Sequence, residues 1–99
     1  MANEIAYGHK HTLRQMGIQT GQVSMTPTAN TISTINVTFP EAYSEVPDIV
    51  IVSPITTVPY TTVRYVTAAN YTTTGFTLYV YRTTGSLTAV AWMAVGKMN

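Results

Sequence analysis

Residues 87–95, LTAVAWMAV, decide the fold class. Read with a period of two, Leu87, Ala89, Ala91, Met93 and Val95 fall on one side. Val90, Trp92 and Ala94 fall on the other. A short run that is apolar on both faces, bounded upstream by the turn residues Thr84-Gly85-Ser86, reads as an inner strand. A second sheet covers one of its faces. The other needs a cover as well, and a neighbouring copy of the chain is the expected one.

The same period runs upstream. Phe76, Leu78 and Val80 alternate with Thr77, Tyr79 and Tyr81, which gives a fifth strand with its apolar residues inward. Residues 61–69 make the fourth, with Val63 and Tyr65 on one face and Arg64, Val66 and Ala68 on the other. Residues 47–53, PDIVIVS, form a continuous apolar run expected to be buried on both sides, with Pro54 and Pro59 in the connection after it. Residues 32–39 alternate Ile35, Val37 and Phe39 against Asn36 and Thr38, and residues 18–25 supply a first strand. Six strands separated by Gly, Pro and Asn predict an all-β fold, a six-stranded antiparallel β-sandwich over residues 18–99. Residues 1–17 are set apart as a short N-terminal arm that attaches the domain or joins copies of it: they hold both histidines and two glycines, Gly8 and Gly17, that oppose a long helix.

Composition narrows function further. The chain has 99 residues, enough for one core. Charged residues make up only 9% against 45% hydrophobic, and threonine takes the place of charge. A domain so poor in charge stays soluble best when some of its faces are covered, which again points to an oligomer or a larger assembly. The basic residues Lys10, Arg14, Arg64, Arg82 and Lys97 are scattered, so the counterion release that drives nucleic-acid binding has no patch to act through. No apolar stretch reaches the roughly 20 residues of a membrane span. The start, MANEIAYGHKHTL, lacks the apolar core of a signal peptide, so synthesis in a cytoplasm is expected. There is no cysteine, and the acids Glu4, Glu41, Glu45 and Asp48 form no evident catalytic pair. A non-enzymatic protein that works through its surface is the expectation.

Taken in order, residues 36–53 (NVTFPEAYSEVPDIVIVS), 63–66 (VRYV), 72–81 (TTTGFTLYVY) and 89–96 (AVAWMAVG) resemble the H-type lectin domain and the related small domains of bacteriophage tail fibres and other virion parts. The elements that carry the likeness are Val37-Thr38-Phe39, Tyr43, Pro47 before a Val/Ile strand, Gly75-Phe76, and the closing Trp92-Met93-Ala94-Val95-Gly96. The resemblance implies a homotrimeric sandwich located in a virion, made in the host cytoplasm, with itself, other virion proteins and a cell-surface glycan as partners. It implies a sugar held in a groove between subunits. By position, Gly21, Gln22 and Ser24 match polar residues near the first strand of that family, and Arg64 matches an arginine on the fourth. In the last hairpin Tyr81, Arg82 and Thr83 stand where the animal lectins carry Trp and His, so this chain departs from a galactosamine-type site.

The candidate ligand residues are therefore Arg64, Tyr79, Tyr81, Arg82, Gly21, Gln22 and Ser24. A guanidinium fork suits two sugar hydroxyls or one carboxylate, and a tyrosine ring offers a flat apolar face with a polar rim. Each has an ordinary alternative: Arg64 paired with Asp48, Glu41 or Glu45, and the tyrosines in cross-strand packing. His9 and His11 form an H-x-H pair; three pairs on a three-fold axis would offer six imidazoles to a transition-metal ion, as on the axes of some phage fibres. A solvated arm with two unremarkable histidines is the other reading. If no glycan is bound, the alternative function is a purely structural virion protein, serving as decoration, connector or fibre base.

Overall fold

A computed structural model describes residues 16–98 and contains six strands: β1 (Met16–Met25), β2 (Thr31–Thr38), β3 (Ile49–Ile55), β4 (Val63–Ala69), β5 (Gly75–Arg82) and β6 (Thr88–Lys97). They form two three-stranded antiparallel sheets, ordered β1-β6-β3 and β2-β5-β4. The described residues are all-β, as their period-two patterning requires. The two most buried strands, β5 and β6, occupy the centres of their sheets, where both edges of each backbone find partners. The arm expected over residues 1–17 falls mostly outside the described residues, and Met16 and Gly17 already belong to β1.

The core lies between the inward faces. Leu78 and Val80 of β5 and Val90 and Ala94 of β6 have no exposed surface, and Val37, Phe39, Val50, Phe76 and Trp92 complete it. Trp92 sits at the middle, with ring centroids 5.7 Å from Phe39 and 5.8 Å from Phe76. Its register partner on β1 is Gly21, and a Cβ there would stand 2.8 Å from the indole. The glycine leaves the space the indole fills. Tyr43 closes one end of the core: its ring meets Phe39 edge-on at 5.2 Å, and its hydroxyl lies 3.1 Å from Gly17 O and 3.0 Å from Ala94 O.

Four details depart from the sequence reading. Residues 47–53 are not buried on both sides: Val50 and Val52 pack inward, but Ile49 and Ile51 are about half exposed, because the sandwich has two layers and the outer face of the β1-β6-β3 sheet is covered by none of the described residues. Pro54 belongs to β3 rather than to the connection, which an edge position allows, since proline removes only a donor. On β4 a register shift between Val63 and Tyr65 marks a bulge at Arg64. Val63 then faces the core together with Val66 and Ala68, while Tyr65 points outward, so the expected pairing of Val63 with Tyr65 is broken. Leu87, assigned to the last strand, lies before β6 and is exposed.

At Gly75, which opens β5, an added Cβ would collide with the Val37 carbonyl oxygen. Backbone on a paired strand cannot yield as a flexible side-chain tip can. Gly75→Ala is expected to cost about 1–3 kcal/mol, as overpacking does. The check is a lower urea midpoint at unchanged slope; an unaltered midpoint would show that the strands separate without strain.

Candidate carbohydrate-binding surface

The outward face of the β2-β5-β4 sheet gathers the aromatic residues. Register aligns Ile32, Tyr81 and Tyr65 in one row, Thr34, Tyr79 and Thr67 in the next, and Asn36, Thr77 and Ala69 in a third. Ile32, Tyr65, Thr67, Tyr79 and Tyr81 line a shallow depression of about 150 Å³. Tyr65 meets Tyr81 edge-on at 5.9 Å. The Tyr79 hydroxyl accepts a hydrogen bond from Asn70 Nδ2 at 3.0 Å and keeps its own proton for another acceptor. Thr77 Oγ1 donates to Asn36 Oδ1 at 3.2 Å. The result is a shallow aromatic surface bordered by hydroxyls and by the amides of Asn36 and Asn70.

The expected site residues divide among three places. Tyr79 and Tyr81 lie on this face together. Arg64, raised on the bulge, is exposed, and its guanidinium lies over the Tyr60 ring, 5.0 Å from the centroid. Among the described residues neither Asp48, Glu41 nor Glu45 is its partner. Arg82 shares the phase of Phe76, Leu78 and Val80 and so turns between the sheets, away from the tyrosines. Its Nε donates to Thr84 Oγ1 and its Nη1 to Thr88 Oγ1, both at 3.0 Å. Gln22 and Ser24 lie on the outer face of the other sheet, and Gly21 beside them faces inward under Trp92. A ligand on the tyrosines of one copy reaches Gln22 and Ser24 only if these belong to a second copy. His9 and His11, and with them the axial metal site, lie outside the described residues.

Two contributors are not visible in the sequence pattern. Tyr65 joins Tyr79 and Tyr81 only because the bulge reverses its direction. Ile32 comes beside Tyr81 through pairing between strands far apart in sequence. Arg82, in contrast, could have been placed by counting on from Val80.

The outer face of the β1-β6-β3 sheet differs in character. Its rows read Ile18, Val95, Ile49; then Thr20, Met93, Ile51; then Gln22, Ala91, Ser53; then Ser24, Ala89, Ile55. Ile18 is 66% exposed, Ile51 51% and Met93 37%. Apolar rows at one end grade into polar ones at the other.

The sequence profile of a family described as "Putative tail fiber protein gp53-like, C-terminal" matches residues 13–97. The chain belongs to this tail fibre family. The tail fibre fold is also that of solved structures. The N-truncated R1-type pyocin tail fibre superposes with a TM-score of 0.67 at 21% identity, covering 82% of this chain and 70% of that one. The tailspike protein gp49 from Pseudomonas phage LKA1 gives 0.67 at 24% identity, over 86% of this chain but 16% of its own. The Pseudomonas phage phi297 tailspike gp61 gives 0.61 at 20% identity, over 84% and 16%. At such identities the likeness speaks for the fold, and this chain corresponds to a small part of each tailspike. No curated protein matches the sequence. The fold and the family together make the chain a tail-fibre-type virion domain. No helix among the described residues is long and apolar enough to cross a membrane.

Proposed function

We propose that this tail fibre domain is a non-catalytic receptor-binding module that associates as a homotrimer and recognises a cell-surface carbohydrate. The observation that carries the reading is the cluster of Tyr65, Tyr79 and Tyr81 on one exposed face, bordered by Thr34, Thr67, Asn36 and Thr77. Ring faces stack on the apolar side of a pyranose while neighbouring hydroxyls and amides take its hydroxyl groups. Association through the apolar rows of the β1-β6-β3 sheet is the second part. Half-exposed Ile18, Ile49, Ile51 and Met93 present on the order of several hundred Å² of contiguous apolar surface, a size that marks interaction sites on soluble proteins. Copies of the same chain are the chosen occupants, because the strand rows of this face carry a single charge, Lys97, already paired with Glu45, and a ring of three copies repeats one heterologous contact across such a face. The polar rows with Gln22 and Ser24 then border the junction between copies, and the tyrosine surface on the opposite face of each sandwich stays open. Single-site affinity is weak, and three copies on one fibre supply avidity.

Tyr79→Ala and Tyr81→Ala are expected to lower binding on a glycan array about ten-fold or more, a loss of about 1.4 kcal/mol per site, with the strand spectrum intact because both rings point away from the core. Full binding by both variants would remove the tyrosines from the site.

Ile32 favours a second reading. It is 62% exposed beside the tyrosines, which suits a protein partner better than a sugar. A purely structural virion role predicts that this face is covered by another virion protein in the assembled particle and that no glycan is retained.

A further inference from the structure

The tyrosine face changes character along its strands. Its first row holds Ile32, Tyr81 and Tyr65, and its third holds Asn36, Thr77 and Ala69, with Asn70 directly after the end of β4. Ile32 is 62% exposed and Tyr65 69%. The depression lies at this apolar end and across the middle row, and only carbon reaches its surface. At about 150 Å³ it is smaller than the roughly 300–1,000 Å³ of a pocket that encloses a whole ligand, so it takes one edge of a sugar.

The other end is polar. Asn70 holds a φ of 54°, in the left-handed region that asparagine tolerates, and its Nδ2 donates to the Tyr79 hydroxyl at 3.0 Å. The Tyr79 proton is left to donate, and Asn70 Oδ1 has no partner among the described residues. Thr77 Oγ1 donates to Asn36 Oδ1, which leaves the Asn36 Nδ2 donors unused. Donors and an acceptor side by side suit neighbouring ring hydroxyls, each of which both donates and accepts. Asn36 lies four residues beyond Ile32 on β2, roughly 13 Å along a strand. A carbon contact of about 3.5–4.0 Å at one end and a hydrogen bond of about 2.8 Å at the other leave roughly 6–7 Å, the width of one pyranose with its substituents.

We infer that this surface selects a 6-deoxyhexose, with the methyl group against Ile32, Tyr65 and Tyr81 and the ring hydroxyls at Tyr79, Asn70 and Asn36. The inference rests on the carbohydrate reading and narrows it to one class of sugar. The ring carbon that carries the methyl stands across the pyranose from those that carry the 2- and 3-hydroxyls, so the sugar is apolar at one end and polar at the other, as the surface is. A hexose that keeps its 6-hydroxyl would press that group against carbon, where it gives up water and finds no partner. A methyl group there removes apolar surface from water on both sides. The exposed isoleucine is then a sugar contact.

The test is a titration of the full chain with sugars paired so that they differ only in the 6-hydroxyl: L-fucose and L-galactose, L-rhamnose and L-mannose, 6-deoxy-D-glucose and D-glucose. Binding is followed through the Ile32 methyl and tyrosine ring resonances. In at least one pair the deoxy member is expected to bind about four-fold or more tightly, the factor that one buried methyl group produces, and to shift the Ile32 methyl signals. Ile32→Thr, at an exposed position on an edge strand, keeps a branched Cβ and is expected to bring that ratio close to one by weakening the deoxy member. Asn70→Gly, which suits the left-handed backbone, is expected to weaken both members alike, so that the ratio stands. Equal binding within every pair, a ratio undiminished in Ile32→Thr, or a ratio erased by Asn70→Gly would overturn the inference and leave the carbohydrate reading in place. If no sugar moved a tyrosine or Ile32 signal, both would fall.

Discussion

Trp92→Ala is expected to lower the thermal midpoint by roughly 15–30 °C, the shift that a loss of about 3–5 kcal/mol produces in a domain of this length. The indole bridges the two sheets within the core. It rests on Gly21 of its own sheet and meets Phe39 and Phe76 from the far side of the core. Alanine would leave a cavity that its neighbours cannot fill: Gly21 has no side chain to move, and Leu78 and Val90 are already fully packed. Such a loss is a large share of the stability of a small domain, about 5–15 kcal/mol. Trp92→Phe is expected to cost much less, because a ring still lies over Gly21. Circular dichroism melts of both variants check this, and a midpoint for the alanine variant within a few degrees of wild type would mean that the sheets do not depend on their central ring.

Met93→Glu acts on the opposite face of the same strand. Met93 lies between Thr20 and Ile51 on the outer face of the β1-β6-β3 sheet and has no part in the core. A carboxylate there is solvated in a lone copy but unpaired and desolvated once copies associate, at a cost of several kcal/mol for each such group. The variant is expected to raise the dissociation constant by about 100-fold or more, equivalent to about 2.7 kcal/mol, while keeping the β-sheet spectrum. Sedimentation at micromolar concentration reads the outcome directly. Unchanged assembly would place the contact elsewhere.

The inward-facing positions of the two central strands were legible in the sequence. Residues 88–97 declare theirs by alternating Val90, Trp92 and Ala94 with Ala89, Ala91, Met93 and Val95, and residues 75–82 declare theirs in the same way. What sequence could not reveal depends on nonlocal geometry. The bulge at Arg64 reverses the phase of β4 without any glycine or proline to announce it, and so moves Tyr65 to the tyrosine face. The exposure of Ile49 and Ile51 follows from the two-layer architecture, which leaves the outer face of the β1-β6-β3 sheet open and which composition does not encode. The placing of Arg64 over Tyr60 depends on how the 56–62 connection folds back onto β4.

The assembly rests on one claim, that the outer face of the β1-β6-β3 sheet is an interface between copies. Light scattering of the wild-type chain at micromolar concentration tests it most directly. The account predicts three chain masses; a particle of one chain mass would contradict it.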